Sequence, residues 1–312
     1  MDLITHGLAG ALVAQAGLAQ RIGRPATIAL VAGAMLPDVD VVMAWVDELS
    51  VVRYHRGLTH SFVGAFLLAL PVAAVLCRFG KYKRFWPLVG LGALGVLTHV
   101  ALDLPTSFGT MVFMPFSHER YALNLIFIVD PIYSGIILLA LGLGYWRCRW
   151  AQMAAILGIS GLLLYVAVAA AMHERARERF RAAVQAQGQA VLRTEAYPRF
   201  PGLWTWLGLA ETPTAIIRGR MDLGRSAPMR LDHYLKPSPD GLFTKAGELE
   251  EVQVFLEFAR FPWMTARREG EHTILEYYDL RFGAAPHHDD FRLEVVLDGG
   301  DTVKHIRLNH RF

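Results

Sequence analysis

The chain has 312 residues, of which 54% are hydrophobic and 19% are charged, and its mean hydropathy is +0.31. An ordinary soluble domain carries about 25% charged residues, so this composition excludes a disordered chain and argues against a plain soluble enzyme. Two cysteines are too few for a disulfide framework, and a net charge of +3 is too small to indicate a nucleic-acid partner.

Charge divides the chain into two parts. Residues 1–172 hold 11 Lys/Arg and 8 Asp/Glu, whereas residues 173–312 hold 20 of each. A low density of charge is typical of membrane segments and a higher one of water-soluble domains. We therefore predict an α-helical polytopic membrane domain over residues 1–175, a helical linker over 176–200 and an antiparallel β domain over 201–312.

About six apolar segments are candidates for crossing the bilayer, which takes roughly 20 apolar residues per helix. Four segments satisfy this length well, and they are 58–76, 86–104, 124–146 and 151–172. Two others are weaker, because 3–18 is short and 26–46 is interrupted by Pro37, Asp38 and Asp40. Each of these two is either a tilted span or a re-entrant helix.

The loops between these segments differ in positive charge. If all six segments cross, the loops on one side contain Arg21, Arg24, Arg78, Lys81, Lys83, Arg84, Arg147 and Arg149, and those on the other contain Arg53, Arg56 and Arg120. The positive-inside rule places the first set in the cytoplasm. We therefore expect a multi-pass protein of the bacterial inner membrane with its C-terminal domain in the periplasm.

Beyond Pro198 and Pro201 the hydrophobic pattern changes to a period of two. Predicted strands cover residues 214–223, 230–235, 251–258, 273–282, 291–297 and 302–308. Clusters of Gly, Pro and Asp separate them, as expected for an antiparallel domain. The His and Asp pairs at 287–290 lie between two strands and are interpreted as a polar turn rather than a metal site.

Ionisable side chains are costly inside a membrane domain and indicate a functional site. The first hundred residues contain four groups of them: His6, then Asp38 with Asp40, then His55 with His60, and then His99 with Asp103. A spacing of four places His99 and Asp103 on one helix face. The predicted topology puts all four groups on the outer side, so we expect them to meet in one pocket.

Imidazoles and carboxylates without cysteine are typical ligands of Zn²⁺, Mn²⁺ or Fe²⁺ in hydrolytic sites. The predicted ligands are His6, Asp38, Asp40, His55, His60, His99 and Asp103. This set exceeds the four ligands of one structural zinc, which indicates one or two ions, with zinc as the first expectation. A metal-activated water would attack an ester or phosphoester. Asp38 or Asp40 is the candidate general base, and Arg56 is the candidate contact for a phosphate oxygen.

The motifs that carry this chemistry resemble those of the YdjM/YbcI-like family of inner-membrane, metal-dependent hydrolases, some of which are described as LexA-regulated. The resemblance covers about residues 1–175 and rests on Thr5-His6-Gly7, Leu-Pro-Asp-x-Asp at 36–40, His-Arg-Gly-x-Thr-His-Ser at 55–61, and His99-x-x-x-Asp103. It implies a helical membrane domain with a metal site. The order of these motifs is more distantly similar to the zinc-dependent phospholipases C, which implies phosphodiester chemistry.

The sequence thus favours a membrane-bound metal-dependent hydrolase acting at the outer face of the inner membrane on a lipid-linked ester or phosphodiester. The alternatives are a metal-binding transporter or sensor, and an envelope scaffold without hydrolytic activity. A membrane lipid or a lipid-linked molecule is the expected partner, and the oligomeric state is left open.

Overall fold

The computed structural model describes residues 2–45, 48–225, 228–237, 241–283, 291–300 and 302–309. The chain divides into two compact units. The first comprises Met1–Val42, Tyr54–His173 and Pro198–Leu203, and the second comprises Met43–Arg53, Glu174–Tyr197 and Trp204–Phe312. The predicted polar turn at 287–290 lies outside the described residues.

The N-terminal half of the chain is helical. Its helices are α1 (Leu3–Val13), α2 (Ala19–Ile22), α3 (Arg24–Met35), α4 (Glu48–Tyr54), α5 (Phe62–Phe79), α6 (Phe85–Asp103), α7 (Pro131–Trp146) and α8 (Ala151–Gln185). Shorter helical segments connect them: a π-helical turn at Ala14–Leu18 and 3₁₀ segments at Leu36–Trp45, Leu58–His60 and Cys148–Trp150.

Four helical stretches among the described residues are long and apolar enough to cross a membrane. They are Arg24–Met43, Phe62–Phe79, Phe85–Asp103 and Cys148–Gln185. Helix α1 has 11 residues and α7 has 16, so both are shorter than a full span. The helical membrane domain is therefore confirmed, whereas the count of about six spans stays a prediction.

Helix α7 begins later than the predicted segment 124–146. Pro131 occupies its first turn, and the residue before a proline disfavours helical backbone. Asp130 caps the helix, because one of its carboxylate oxygens accepts from the N–H groups of Ile132 and Tyr133, at 3.0 Å each. Its other oxygen accepts from the hydroxyl of Tyr165, 2.6 Å away. Residues 124–129 are consequently an irregular segment rather than part of a span.

Helices α3, α5 and α6 pack against one another through small residues. A Cβ atom added at Gly33 would meet the backbone of Gly92, and one added at Gly95 would meet the carbonyl of Leu30. Small residues at such crossings let the backbones approach closely, which is how membrane helices gain packing energy. This close approach brings the end of α3 next to the end of α6.

The predicted antiparallel β domain is confirmed as two four-stranded sheets. The strands of the first sheet, in spatial order, are β1 (Arg193–Pro198), β2 (Thr205–Glu211), β3 (Ala215–Asp222) and β4 (Leu231–Leu235). Those of the second are β5 (Pro262–Glu269), β6 (His272–Asp279), β7 (Arg292–Leu297) and β8 (Val303–Asn309). Leu209 pairs with Arg218 in the first sheet, and Leu275 pairs with Val295 in the second.

Two short helices, α9 (Gly241–Ala246) and α10 (Glu250–Phe258), lie between the sheets in sequence. The predicted strand 251–258 is wrong, because these residues form α10. Val252, Phe255 and Phe258 are buried at a spacing of three, so one helical face supplies the core contacts. Strands β1, β2 and β5 were not predicted. Within the expected helical linker 176–200, α8 continues to Gln185 and β1 follows.

Candidate metal centre

The ionisable side chains of the membrane domain come from the ends of four helices. His6 lies in the first turns of α1, and Asp38 follows α3 in the 3₁₀ segment Leu36–Trp45. His60 ends the 3₁₀ segment directly before α5, and His99 and Asp103 lie in the last turns of α6. The structure brings these helix ends together at one end of the bundle.

Four ligand atoms, one each from Asp38, His60, His99 and Asp103, lie within 4.8 Å of one another and can bind a metal ion. The two histidine Nε2 atoms are 3.0 Å apart. Each lies 3.4–3.6 Å from a carboxylate oxygen of Asp38 and of Asp103. Zinc bonds of about 2.0–2.1 Å in a tetrahedron separate the ligand atoms by about 3.3 Å. The observed spacing therefore suits a tetrahedral ion.

Hydrogen bonds on the far side of each imidazole determine which nitrogen faces the centre with a lone pair. Nδ1 of His99 lies 2.7 Å from the carbonyl oxygen of Ala34, which can only accept, so Nδ1 carries the proton. Thr59 donates its hydroxyl to Asp40 at 2.7 Å and so accepts from Nδ1 of His60 at 2.9 Å. Both Nε2 atoms are then unprotonated in the neutral rings.

Two lone pairs and two carboxylates thus converge without a donor from any of the four side chains. His60, His99 and Asp103 are inaccessible to solvent, and 18% of the Asp38 side chain is exposed. Buried acceptors that face one another are unfavourable unless a cation lies between them. The donor set therefore fits a divalent metal ion.

His6 lies beside this group but outside the four atoms. Its ring stacks on His99 with centroids 3.6 Å apart, and its Nε2 atom is 3.4 Å from the Asp103 oxygen that does not face His60. Neither ring nitrogen has a hydrogen-bond partner among the described residues, although the side chain is completely buried. His6 is therefore placed to join the centre, and its role as a ligand stays a prediction.

Asp40 and His55 form a neighbouring pair rather than part of the four-atom group. One Asp40 oxygen is 2.7 Å from Nδ1 of His55. The other accepts from the backbone N–H of Arg56 at 3.1 Å and from the hydroxyl of Thr59. Asp40 therefore fixes the segment that carries His55 and His60, and metal ligation by Asp40 or His55 stays a prediction.

Arg56 is buried, with 3% of its surface exposed, and it holds Asp103. One guanidinium nitrogen is 3.0 Å from the Asp103 oxygen that does not face His60, and another donates to the hydroxyl of Thr106 at 2.7 Å. Thr106 in turn donates to the carbonyl of Asp103. The positive φ of Arg56, 60°, is unusual for a residue with a side chain and turns it toward α6. Contact of Arg56 with a substrate phosphate stays a prediction.

Two residues that the sequence did not single out as site residues border the centre. Phe108 is buried, and its ring contacts His55 edge to face and lies under the guanidinium groups of Arg56 and Arg120. Arg120 donates to the carbonyls of His55 and Gly109. Both residues belong to the irregular segment after α6, which has no periodicity. The only signal there is an arginine and an aromatic ring in an otherwise apolar stretch.

The family model of the YdjM inner membrane protein matches residues 1–176, which hold all of these side chains. The chain belongs to the YdjM inner membrane protein family. The resemblance stated from the motifs is thereby confirmed for the family, and the protein is an integral membrane protein. The more distant similarity to zinc-dependent phospholipases C stays a resemblance of motif order.

A curated relative, the uncharacterized protein YfhP of Bacillus subtilis (strain 168), is 35% identical over 104 residues. This alignment covers 33% of the chain and 32% of the relative, so the chain spans about a third of that protein's length. No solved structure matches the chain.

Proposed function

We propose that the protein is a membrane-embedded, metal-dependent hydrolase that acts on a lipid-linked ester or phosphodiester. The observation that carries the proposal is the convergence of the His60 and His99 lone pairs with the carboxylates of Asp38 and Asp103. Zinc is the ion we expect, because imidazole and carboxylate ligands at tetrahedral spacing are its usual environment. Manganese and iron accept the same donors.

The residues divide into three roles. His60, His99, Asp38 and Asp103 would hold the ion, and His6 is the candidate for a further ligand. When bound, the ion would supply a Lewis acid and an activated water for attack on an ester. Arg56 fixes Asp103 through the oxygen on its far side. Asp38 and Asp40 remain the candidate general bases, and Asp38 has the most exposed carboxylate of the four-atom group.

We place the centre at the outer face of the inner membrane. Most of the loop cations, such as Arg78, Arg84 and Arg147, follow or precede the helix ends opposite to the centre. The positive-inside rule assigns those ends to the cytoplasm. By the same rule the C-terminal β domain lies in the periplasm.

A transport function is less well supported than hydrolysis. An ion pathway across the bilayer needs polar or ionisable groups along its whole length. Helix α7 and residues 151–172 contain no Asp, Glu or His. The ionisable groups of the centre are confined to one end of the bundle.

Elemental analysis and a hydrolysis screen test the proposal together. The full-length protein, purified in detergent, should contain at least one equivalent of a divalent metal and should hydrolyse chromogenic phosphodiesters or carboxylic esters with that metal. Asp103→Asn and His99→Gln should lose both properties. His118→Ala should keep both, because His118 is exposed and lies outside the centre. Full metal content and activity in Asp103→Asn would refute the proposal.

A further inference from the structure

Three exposed phenylalanines lie beside the segment that carries the metal centre. Phe62 is 56% exposed, Phe113 is 48% exposed and Phe116 is 86% exposed. The rings of Phe62 and Phe113 touch, with centroids 5.7 Å apart. We call these three residues the phenylalanine patch.

Backbone hydrogen bonds fasten the patch to both ends of the site segment. The N–H of Met111 donates to the carbonyl of Arg56 at 2.9 Å. The N–H of Phe62 donates to the carbonyl of Val112 at 3.1 Å. The stretch 111–113 therefore bridges the residues before and after His60. A force or displacement applied to the patch acts on the same backbone that positions the centre.

The patch continues the apolar surface of a membrane span. Phe62 is the first residue of α5, and Phe66 and Leu67 in the following turn are also exposed, at 49% and 47%. Phe113 and Phe116 extend this surface onto the irregular segment between α6 and α7, outside any candidate span. Exposed polar residues, His118 and Glu119, follow immediately. An apolar tip with a polar continuation is typical of a segment at the membrane interface.

The open side of the centre is apolar as well. Asp38 and His55 are its partly exposed members, with 18% and 17% of their side chains accessible. Their sequence neighbours include Val39 and Leu58, which are 58% and 41% exposed. Aliphatic side chains at such positions are costly in water and favourable against lipid chains.

We propose that the phenylalanine patch inserts into the acyl-chain region of the bilayer and holds the mouth of the metal centre at headgroup depth. An acyl-chain-bearing substrate then reaches the centre by lateral diffusion within the leaflet. This second part rests on the proposed hydrolase function. The insertion itself does not, so the two can be tested apart.

Spin labels test the insertion directly. Cysteine is introduced by Phe116→Cys, or by His118→Cys as the matched control two residues away, in a chain in which Cys77→Ser and Cys148→Ser remove the native thiols. The protein is reconstituted into vesicles of phosphatidylethanolamine and phosphatidylglycerol. We expect the label at 116 to be relaxed mainly by oxygen and the label at 118 mainly by a water-soluble nickel complex. A label at 116 that is accessible to the nickel complex overturns the proposal. Dipolar broadening between labels of two copies also overturns it, because the patch would then be a self-association surface.

Substrate presentation tests the route. The variant Phe113→Glu/Phe116→Glu should reduce hydrolysis of a vesicle-borne substrate about tenfold or more and change hydrolysis of a soluble short-chain analogue by less than about twofold. His118→Glu, which adds a carboxylate to the same segment, should leave both rates unchanged. An equal loss on both substrates refutes the lateral route. If the parent protein hydrolyses neither substrate while the label at 116 lies among the acyl chains, the hydrolase function fails and the insertion stands.

Discussion

Replacing Thr59 with valine should weaken metal binding without changing any candidate ligand. The hydroxyl of Thr59 accepts from Nδ1 of His60 at 2.9 Å and donates to Asp40 at 2.7 Å. Valine has nearly the same shape and lacks the hydroxyl, so the fold keeps its packing while His60 loses the group that orients its ring. Such partners of a ligating histidine fix its tautomer and raise its basicity.

The magnitude follows from what remains around His60. Loss of a partner to a metal-bound histidine costs about 10–100-fold in affinity, or about 1.4–2.7 kcal/mol. An Asp40 oxygen lies 3.3 Å from the same nitrogen and can take over as acceptor. We therefore expect about tenfold weaker binding for Thr59→Val, and about 100-fold for Thr59→Val combined with Asp40→Asn.

Competition with a chromogenic zinc chelator measures these affinities on purified protein, and it requires no knowledge of the substrate. Thr59→Ser is the matched control, since serine keeps the hydroxyl and should bind metal within about twofold of the parent. The reasoning is refuted if Thr59→Val binds as tightly as the parent. It is refuted equally if the serine variant is as weak as the valine variant.

Three other substitutions test the fold. Gly33→Ala should lower stability by about 1–3 kcal/mol, because its Cβ would meet the backbone of α6, whereas Gly90→Ala should be tolerated since no atom lies within 4 Å; thermal unfolding in detergent compares the two. Asp130→Ala should cost about 2 kcal/mol by the same assay, since it removes the cap of α7 and a buried hydrogen bond. The hydrogen bond from Lys236 holds the pKa of Glu211 below its ordinary value of 4.5, so its stabilisation is present above that pH and is lost as the pH falls further. Unfolding midpoints at about pH 7 and about pH 3 should therefore differ less in Glu211→Gln than in the parent, and an unchanged difference would contradict this linkage.

Local sequence patterns were sufficient for the regular helices and for most strands of the second sheet. Helix α6, predicted over 86–104, is observed at Phe85–Asp103, because a long apolar run in a helical period has few alternatives. Residues 251–258 were ambiguous, since they fit both an alternating and a helical pattern. Burial of Val252, Phe255 and Phe258 on one face decided for the helix.

The sequence by itself determined that imidazoles and carboxylates lie at the ends of apolar segments, where they are too costly to be incidental. Only the tertiary structure decided how they divide into the four-atom group and the Asp40–His55 pair. The reason is that the 3₁₀ segment Leu36–Trp45 and the irregular segment after α6 have no periodicity that fixes side-chain direction. Close packing of α3 on α6 and the hydrogen bonds of Asp40 and Arg56 set those directions instead.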